Sequence, residues 1–404
     1  MSVITTTRPL RMGRLSTTAA LYLQASIIVA LLAGSSAPTP LYAVYQGEWG
    51  FSPITTTLVF GVYAVAVLAA LLTVGSLSDH IGRRPVLLAA LAVQAPLMLV
   101  FATANGVPEL MAARIIQGLS TGAAIGALGA GMLDLDRIKG TTLNSVAPMT
   151  GTATGALLSG VLVQLLPEPT HLVYLVLFAV FAAQAVGVRM MRESSSPRPG
   201  ALTSLRIQFG LPLAVRRHAL IAIPALVAVW SLAGFYGSLG PTLVRILSGS
   251  DSFILGGLSL FVLAGSAAVT VLLLRNAAPR AVMQFGTLAL FVGVGITLVA
   301  ISLSSITVLF LGCVVAGAGF GGGFQGSIRT VVPLAAPHER AGVLSLMYVV
   351  SYLAMGVPAV IAGFLVVDGG GVLATAREYG VGVMVLAALA FIGLAWAGRA
   401  KTRA

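Results

Sequence analysis

Charge is what this chain has least of. Acidic and basic residues make up 8% of its 404 positions, where a soluble protein carries about 25%. That scarcity excludes a water-facing surface over most of the molecule, so most of it must face lipid. Cysteine is nearly absent too. Cys313 is the single one, which excludes disulfides within the chain and any cysteine-based metal cluster. It lies in an apolar run and reads as a small buried hydrophobe. The four histidines, His80, His171, His218 and His338, fall at loops or span ends. There is no phosphate-cradling loop, zinc-ligand spacing or nucleophile triad. The residues therefore point to no enzyme, no metal and no cofactor; a membrane enzyme or receptor-like scaffold is the remote alternative class.

What is present is long apolar sequence. Hydrophobic residues make up 58% of the chain, in runs near the ~20 residues that a bilayer helix needs. The runs do not alternate as barrel strands do, and helices satisfy their own backbone in hydrocarbon. The expected fold class is an all-α membrane protein of twelve transmembrane helices. The spans read as 19–42, 54–76, 85–103, 109–132, 142–166, 171–190, 219–244, 253–274, 281–301, 306–328, 341–366 and 380–398. Ser52-Pro53, Pro85 and Pro108 supply helix-entry chemistry for three of them, because proline suits a first helical turn. Arg8, Arg11 and Arg14 before an apolar core ending at Ser36-Ala37 also resemble a secretory signal. Pro38 directly after such a cut, and a run continuing to Tyr42, favour a span instead.

The net charge of +12 does not indicate nucleic acid, because the basic residues are scattered between apolar runs with no aromatic-interleaved patch. Their sidedness is informative. With the N-terminus in the cytoplasm, 20 of the 23 basic residues fall on the cytoplasmic side. Arg245 and Arg377 fall outside and Arg114 lies within a span. Such a positive-inside bias places both termini in the cytoplasm. The longest loop sits at mid-chain, with Ser194-Ser195-Ser196-Pro197-Arg198-Pro199-Gly200 as its core. It divides the chain into a six-helix half at 1–191, a basic cytoplasmic linker at 192–218 and a second six-helix half at 219–404. Parallel halves are one known transporter plan.

Between the second and third spans lies Gly75-Ser76-Leu77-Ser78-Asp79-His80-Ile81-Gly82-Arg83-Arg84-Pro85. Gly75 permits close approach, Gly82 a tight turn. Asp79 can bond Arg83 or Arg84, or face a helix N-terminus. The fourth span carries Arg114-Ile115-Ile116-Gln117-Gly118 and then Gly122-Ala123-Ala124. Together these motifs resemble the signature loop and the fourth-helix R-x-x-Q-G pattern of the major facilitator superfamily. Span count and central basic loop are similar to that superfamily as well. The resemblance implies two six-helix bundles, alternating access, and a cytoplasmic latch in which Asp79 meets the start of the eleventh helix near Arg340-Ala341-Gly342. The matching loop of the second half, Arg275 to Arg280, lacks the Gly-x-x-x-Asp portion, so the latch is expected on one side only.

Arg114 is the one basic residue left inside a span. Intramembrane charge usually faces a cavity and has a function; the alternative is snorkelling, or pairing with Glu109. Gln117 and Thr121 share its face. No acid lies mid-span: Asp79, Asp134, Asp136, Glu193 and Glu339 read as cytoplasmic, and Glu48, Glu109, Glu168, Asp251, Asp368 and Glu378 as outer. Many proton-linked exporters of cationic drugs carry a first-helix carboxylate, where this chain has Gln24. An arginine without an acid suits an anionic or neutral amphipathic ligand. Pro148-Met149-Thr150-Gly151 and the glycines Gly155 and Gly160 do not complete the G-P-x-x-G-G antiporter pattern, which weakens the case for export. Tyr42, Trp230, Tyr236, Tyr348 and Tyr352 are further cavity candidates, with Ser351 and Met355 beside the last two. Gly317, Gly319, Gly321, Gly322, Gly323 and Gly326 make the tenth helix a flexible or tightly packed one.

The resulting expectation is a monomeric multi-pass transporter of a bacterial-type inner membrane. Its partners would be membrane lipid, a small-molecule substrate and, as a candidate coupling ion, the proton. Export is the first choice and metabolite uptake the second.

Overall fold

The computed structural model describes residues 15–207, 210–336 and 339–401. Arg8, Arg11, Arg14, His338 and Arg403 lie outside them. Twelve helices are long and apolar enough to cross a membrane, and no strand occurs among the described residues. In chain order, spans 1 to 6 are Thr17–Trp49, Pro53–Val74, Arg83–Ala102, Val107–Leu135, Arg137–Leu165 and Pro169–Arg189. Spans 7 to 12 are Val215–Ser238, Phe253–Leu273, Pro279–Leu303, Ile306–Leu334, Arg340–Asp368 and Gly371–Trp396. They form two six-helix bundles, spans 1 to 6 and spans 7 to 12. Span 1 begins and span 12 ends at what we term the termini end; the opposite end is the far end.

Several ends differ from the hydropathy reading because helices run past the apolar run. The helix of span 7 begins at Leu213, so Arg216 and Arg217 ride on a helix rather than in the linker. Span 5 begins at Arg137, where Asp136 caps it by accepting from the Ile138 and Lys139 amides. Such a cap contributes about 1 kcal/mol.

Span 1 is two helices, Thr17–Ser36 and Pro38–Trp49, that meet at Ala37. Span 7 is likewise followed by a short helix, Gly240–Ser248, after Leu239. Pro38 and Pro40 in one, and Gly240-Pro241 in the other, break the chain at equivalent places, since proline lacks the amide that would continue the ladder. The Thr39 hydroxyl donates to the Gly237 carbonyl at 3.1 Å and ties the two breaks together. The Ser159 hydroxyl donates to the Ala37 carbonyl at 2.6 Å. The turn that resembles a cleavage site is thus an internal, packed part of span 1.

The bundles meet along two seams, spans 5 and 8 and spans 2 and 11. A half-turn exchanging 2 with 8 and 5 with 11 maps one seam onto the other. Small residues let the backbones touch: a Cβ on Gly160 would strike Phe253, and one on Gly257 would strike the Ala156 carbonyl. At the other seam Gly61 faces Val360 and Gly363 faces Thr57. Among the described residues, three hydrogen bonds cross between bundles. They are Thr39 to Gly237, and the Ser252 hydroxyl and Ile254 amide to Gln164 Oε1. All three lie at the far end. Span 10 is the tightly packed alternative rather than a loose helix, with Gly319, Gly322 and Gly326 against span 9 and Gly317 and Gly321 against span 8.

Candidate functional site

Arg114 is fully buried, at 0% exposure. Span 4 places Gln117 one turn later on the same face, and Arg114 Nη1 donates to Gln117 Oε1 at 2.8 Å. The same nitrogen donates to the Ser35 carbonyl at 2.9 Å, and Nη2 donates to the Tyr42 hydroxyl at 2.6 Å. The guanidinium lies 5.2 Å from the ring centre of Tyr63 and 5.9 Å from that of Tyr42. Gln117 continues the network to the Gly34 carbonyl at 3.1 Å. Gln94 donates to Thr121 Oγ1 at 2.9 Å.

Among the described residues, every acceptor of Arg114 is neutral, and its Nε has no partner. A guanidinium has five N–H donors, so part of its capacity is unused. The pairing with Glu109 is not formed: Glu109 Oε2 accepts from the Asn105 amide at 2.6 Å. Snorkelling is excluded by the burial. A buried cation without a counter-ion is costly, and its place in the fold calls for a function.

The second bundle supplies an aromatic wall. Trp230 lies 5.6 Å from Tyr352, 5.6 Å from Phe320 and 5.3 Å from Phe324, ring centre to ring centre. Tyr352 of span 11 and Tyr63 of span 2 lie on the two spans that form one seam between the bundles. One turn beyond Tyr352, a Cβ on Gly356 would lie 3.5 Å from the Ala64 side chain, next to Tyr63. Tyr348, Tyr352 and Trp230 are half-buried, while the Trp230 Nε1 and the buried Ser351 Oγ have no partner. Met355 is buried on the same span.

Two candidates do not join this group. Gln24 is buried inside the first bundle, with its Nε2 3.5 Å from Met191 Sδ and its side chain against Gly131. Tyr236 is turned into the second bundle, with its hydroxyl 3.3 Å from Thr297 Oγ1. The sequence reading missed Tyr63, Gln94 and the Ser35 carbonyl. Tyr63 had one available signal, an aromatic ring in the middle of span 2.

The 75–84 loop forms a second charged centre. Arg83 is 7% exposed. It pairs with Asp79, reaches Asp134 Oδ2 at 3.2 Å and donates to Ser78 Oγ at 2.7 Å. Glu193, just beyond span 6, accepts from the Arg83 and Arg84 amides at 2.8 and 3.0 Å. It thereby caps the N-terminus of span 3, where a carboxylate is favoured. Gly82 has φ +101°, and a Cβ there would meet Glu193. Gly75 lies against Gly126 of span 4.

The expected latch is not formed here: among the described residues, no hydrogen bond or ion pair joins this loop to span 11. Arg340 Nε instead donates to the Ala335 carbonyl at 3.2 Å. In the second half, Arg280 reaches the Leu394 carbonyl and Arg329 the Leu274 and Ala277 carbonyls, and among the described residues neither pairs with a carboxylate.

The model of the Major Facilitator Superfamily matches residues 25–359. The chain belongs to this superfamily. Solved structures agree with the fold of this chain. One is a bacterial homolog of the human lysosomal transporter Spinster, in an inward-facing and occupied conformation: 13% identity, 97% of this chain and 98% of that one covered, TM-score 0.71. Another is the nucleoside transporter NupG: 14% identity, 96% and 99% covered, TM-score 0.67. No curated protein matches the chain in sequence. It is an integral membrane protein whose family and fold support secondary transport.

Proposed function

We propose that this protein works by alternating access and exports a small anionic or neutral amphipathic organic compound across a bacterial-type inner membrane, as a monomer with both termini in the cytoplasm. Arg114 carries the substrate class: it is a fully buried guanidinium held by neutral acceptors with its Nε unpartnered. An anionic group on the substrate would relieve that uncompensated charge, and the aromatic wall of Trp230, Tyr348 and Tyr352 would take its apolar part. The far-end hydrogen bonds between bundles favour an access path from the termini end. Export rests on the R-x-x-Q-G resemblance at Arg114 to Gly118. Proton coupling would run through a peripheral acid, Glu109 or Asp79, or through a protonatable substrate.

The test is a thermal-shift screen of purified protein with organic acids, neutral amphiphiles and permanent cations, followed by flux in vesicles. A true ligand raises apparent stability by mass action. Stabilisation and transport confined to cations would overturn the substrate class, and accumulation directed only toward the termini-end compartment would overturn export.

A further inference from the structure

Spans 7 and 12 leave a groove of about 520 Å³ between their termini ends. Its lining combines apolar Leu213, Leu220, Ile221 and Trp396 and the bare backbone of Gly393 with Arg216 and Arg217. No acid lines it. The Arg216 and Arg217 side chains have no hydrogen-bond or ion-pair partner among the described residues. Leu213 is 84%, Leu220 58% and Trp396 72% exposed among the described residues.

The chemistry changes along the groove from apolar to cationic over about one helical turn. Tryptophan and arginine at the end of a span belong at the headgroup level of a bilayer, with apolar neighbours in the acyl region. Basic pockets between spans suit anionic lipid headgroups. A second copy of this chain fits less well, because a two-fold contact would bring like-charged arginine pairs together.

We propose that this groove binds an anionic phospholipid of the leaflet at the termini end. The phosphate sits between Arg216 and Arg217, whose planar forks match its oxygens, and an acyl chain lies along Leu220 and Gly393. The site is independent of the transport reading, since it shares no residue with the Arg114 region.

The test uses full-length protein in an uncharged detergent. Dioleoylphosphatidylglycerol, dioleoylphosphatidylcholine and glycerol phosphate are titrated separately against the melting temperature. The anionic lipid should give a saturable rise exceeding that of the zwitterionic lipid with the same chains, and glycerol phosphate should give none. The double variant Arg216→Gln, Arg217→Gln should lose most of the extra rise and keep the zwitterionic response. Gly393→Leu, whose added Cβ meets only Ile221 at an ordinary 3.5 Å, should also lose it with both arginines in place. It decides the matter if the double variant fails to fold. Equal responses to the two lipids, a matching rise with glycerol phosphate, or an unchanged rise in a folded variant would overturn the proposal.

Discussion

Arg114 Nη2 donates to the Tyr42 hydroxyl at 2.6 Å. The bond links span 4 to the second helix of span 1, just past the break at Ala37. A cation that could be screened by a carboxylate is instead held by a phenol, an amide and a carbonyl. Neutral acceptors position the guanidinium without neutralising it.

Removing that charge separates binding from folding. Arg114→Met should leave the ligand-free melting temperature unchanged or higher, because an uncompensated buried cation is replaced by an apolar chain. Affinity for an anionic substrate should fall on the order of 100-fold, the loss expected for a desolvated charge-assisted contact. Arg114→Lys should recover only part, since lysine lacks the planar fork. Wild-type affinity in a well-folded Arg114→Met protein would remove Arg114 from the site.

Tyr63 is expected to act through its ring. Tyr63→Phe keeps a face 5.2 Å from the guanidinium, and transport should stay near wild type. Tyr63→Leu removes a cation–π contact worth roughly 0.5–2 kcal/mol, and the apparent KM should rise several-fold. Equal rates for the two variants would argue against a role for the ring.

Asp79 and Asp134 share Arg83. Asp79→Asn should lower the transport rate strongly with nearly normal expression. Asp134→Asn should lower it too, and the double variant by less than the product of the two effects, since neighbours on one partner are coupled. Glu193→Gln weakens the cap on span 3 and should cost about 1 kcal/mol in stability. Independent effects at Asp79 and Asp134 would show that Arg83 does not join them in function.

The absence of a mid-span acid predicts selectivity. Ethidium and similar permanent cations should be poor substrates, measured as efflux from cells expressing the protein against an empty-vector control. Robust ethidium efflux would contradict the reading of Arg114.

The far-end seam is expected to open during transport. Gly257→Val places a side chain against the Ala156 carbonyl and should favour the state with that end apart. Thr39→Cys in a Cys313→Ala background should then react faster with a membrane-impermeant maleimide, because Thr39 is 2% exposed in the closed seam. Equal labelling rates with and without the Gly257→Val substitution would leave the seam rigid.

The sequence by itself determined the number of spans, their approximate ends, the motif loop and the isolation of Arg114 in apolar surroundings. These are local properties: hydropathy over about 20 residues decides whether a helix sits in lipid, and a lone charge stands out against that background. That Gln117 and Thr121 share a face with Arg114 was legible too, since i, i+3 and i+7 recur on one side of a helix; the hydrogen bond between Arg114 and Gln117 was not. Tertiary structure decided which faces look inward. A helix that is apolar all round carries no periodicity separating lipid-facing from bundle-facing positions, so Gln24 and Tyr236 could not be told from Tyr42 and Tyr352. It also supplied the partners distant in sequence: Ser35, Tyr42 and Tyr63 for Arg114, and Asp134 and Glu193 for Arg83. Arg83 meets Asp134 51 residues away and Glu193 110 residues away, and no local pattern connects positions that only the packing of spans 3, 4 and 6 brings together.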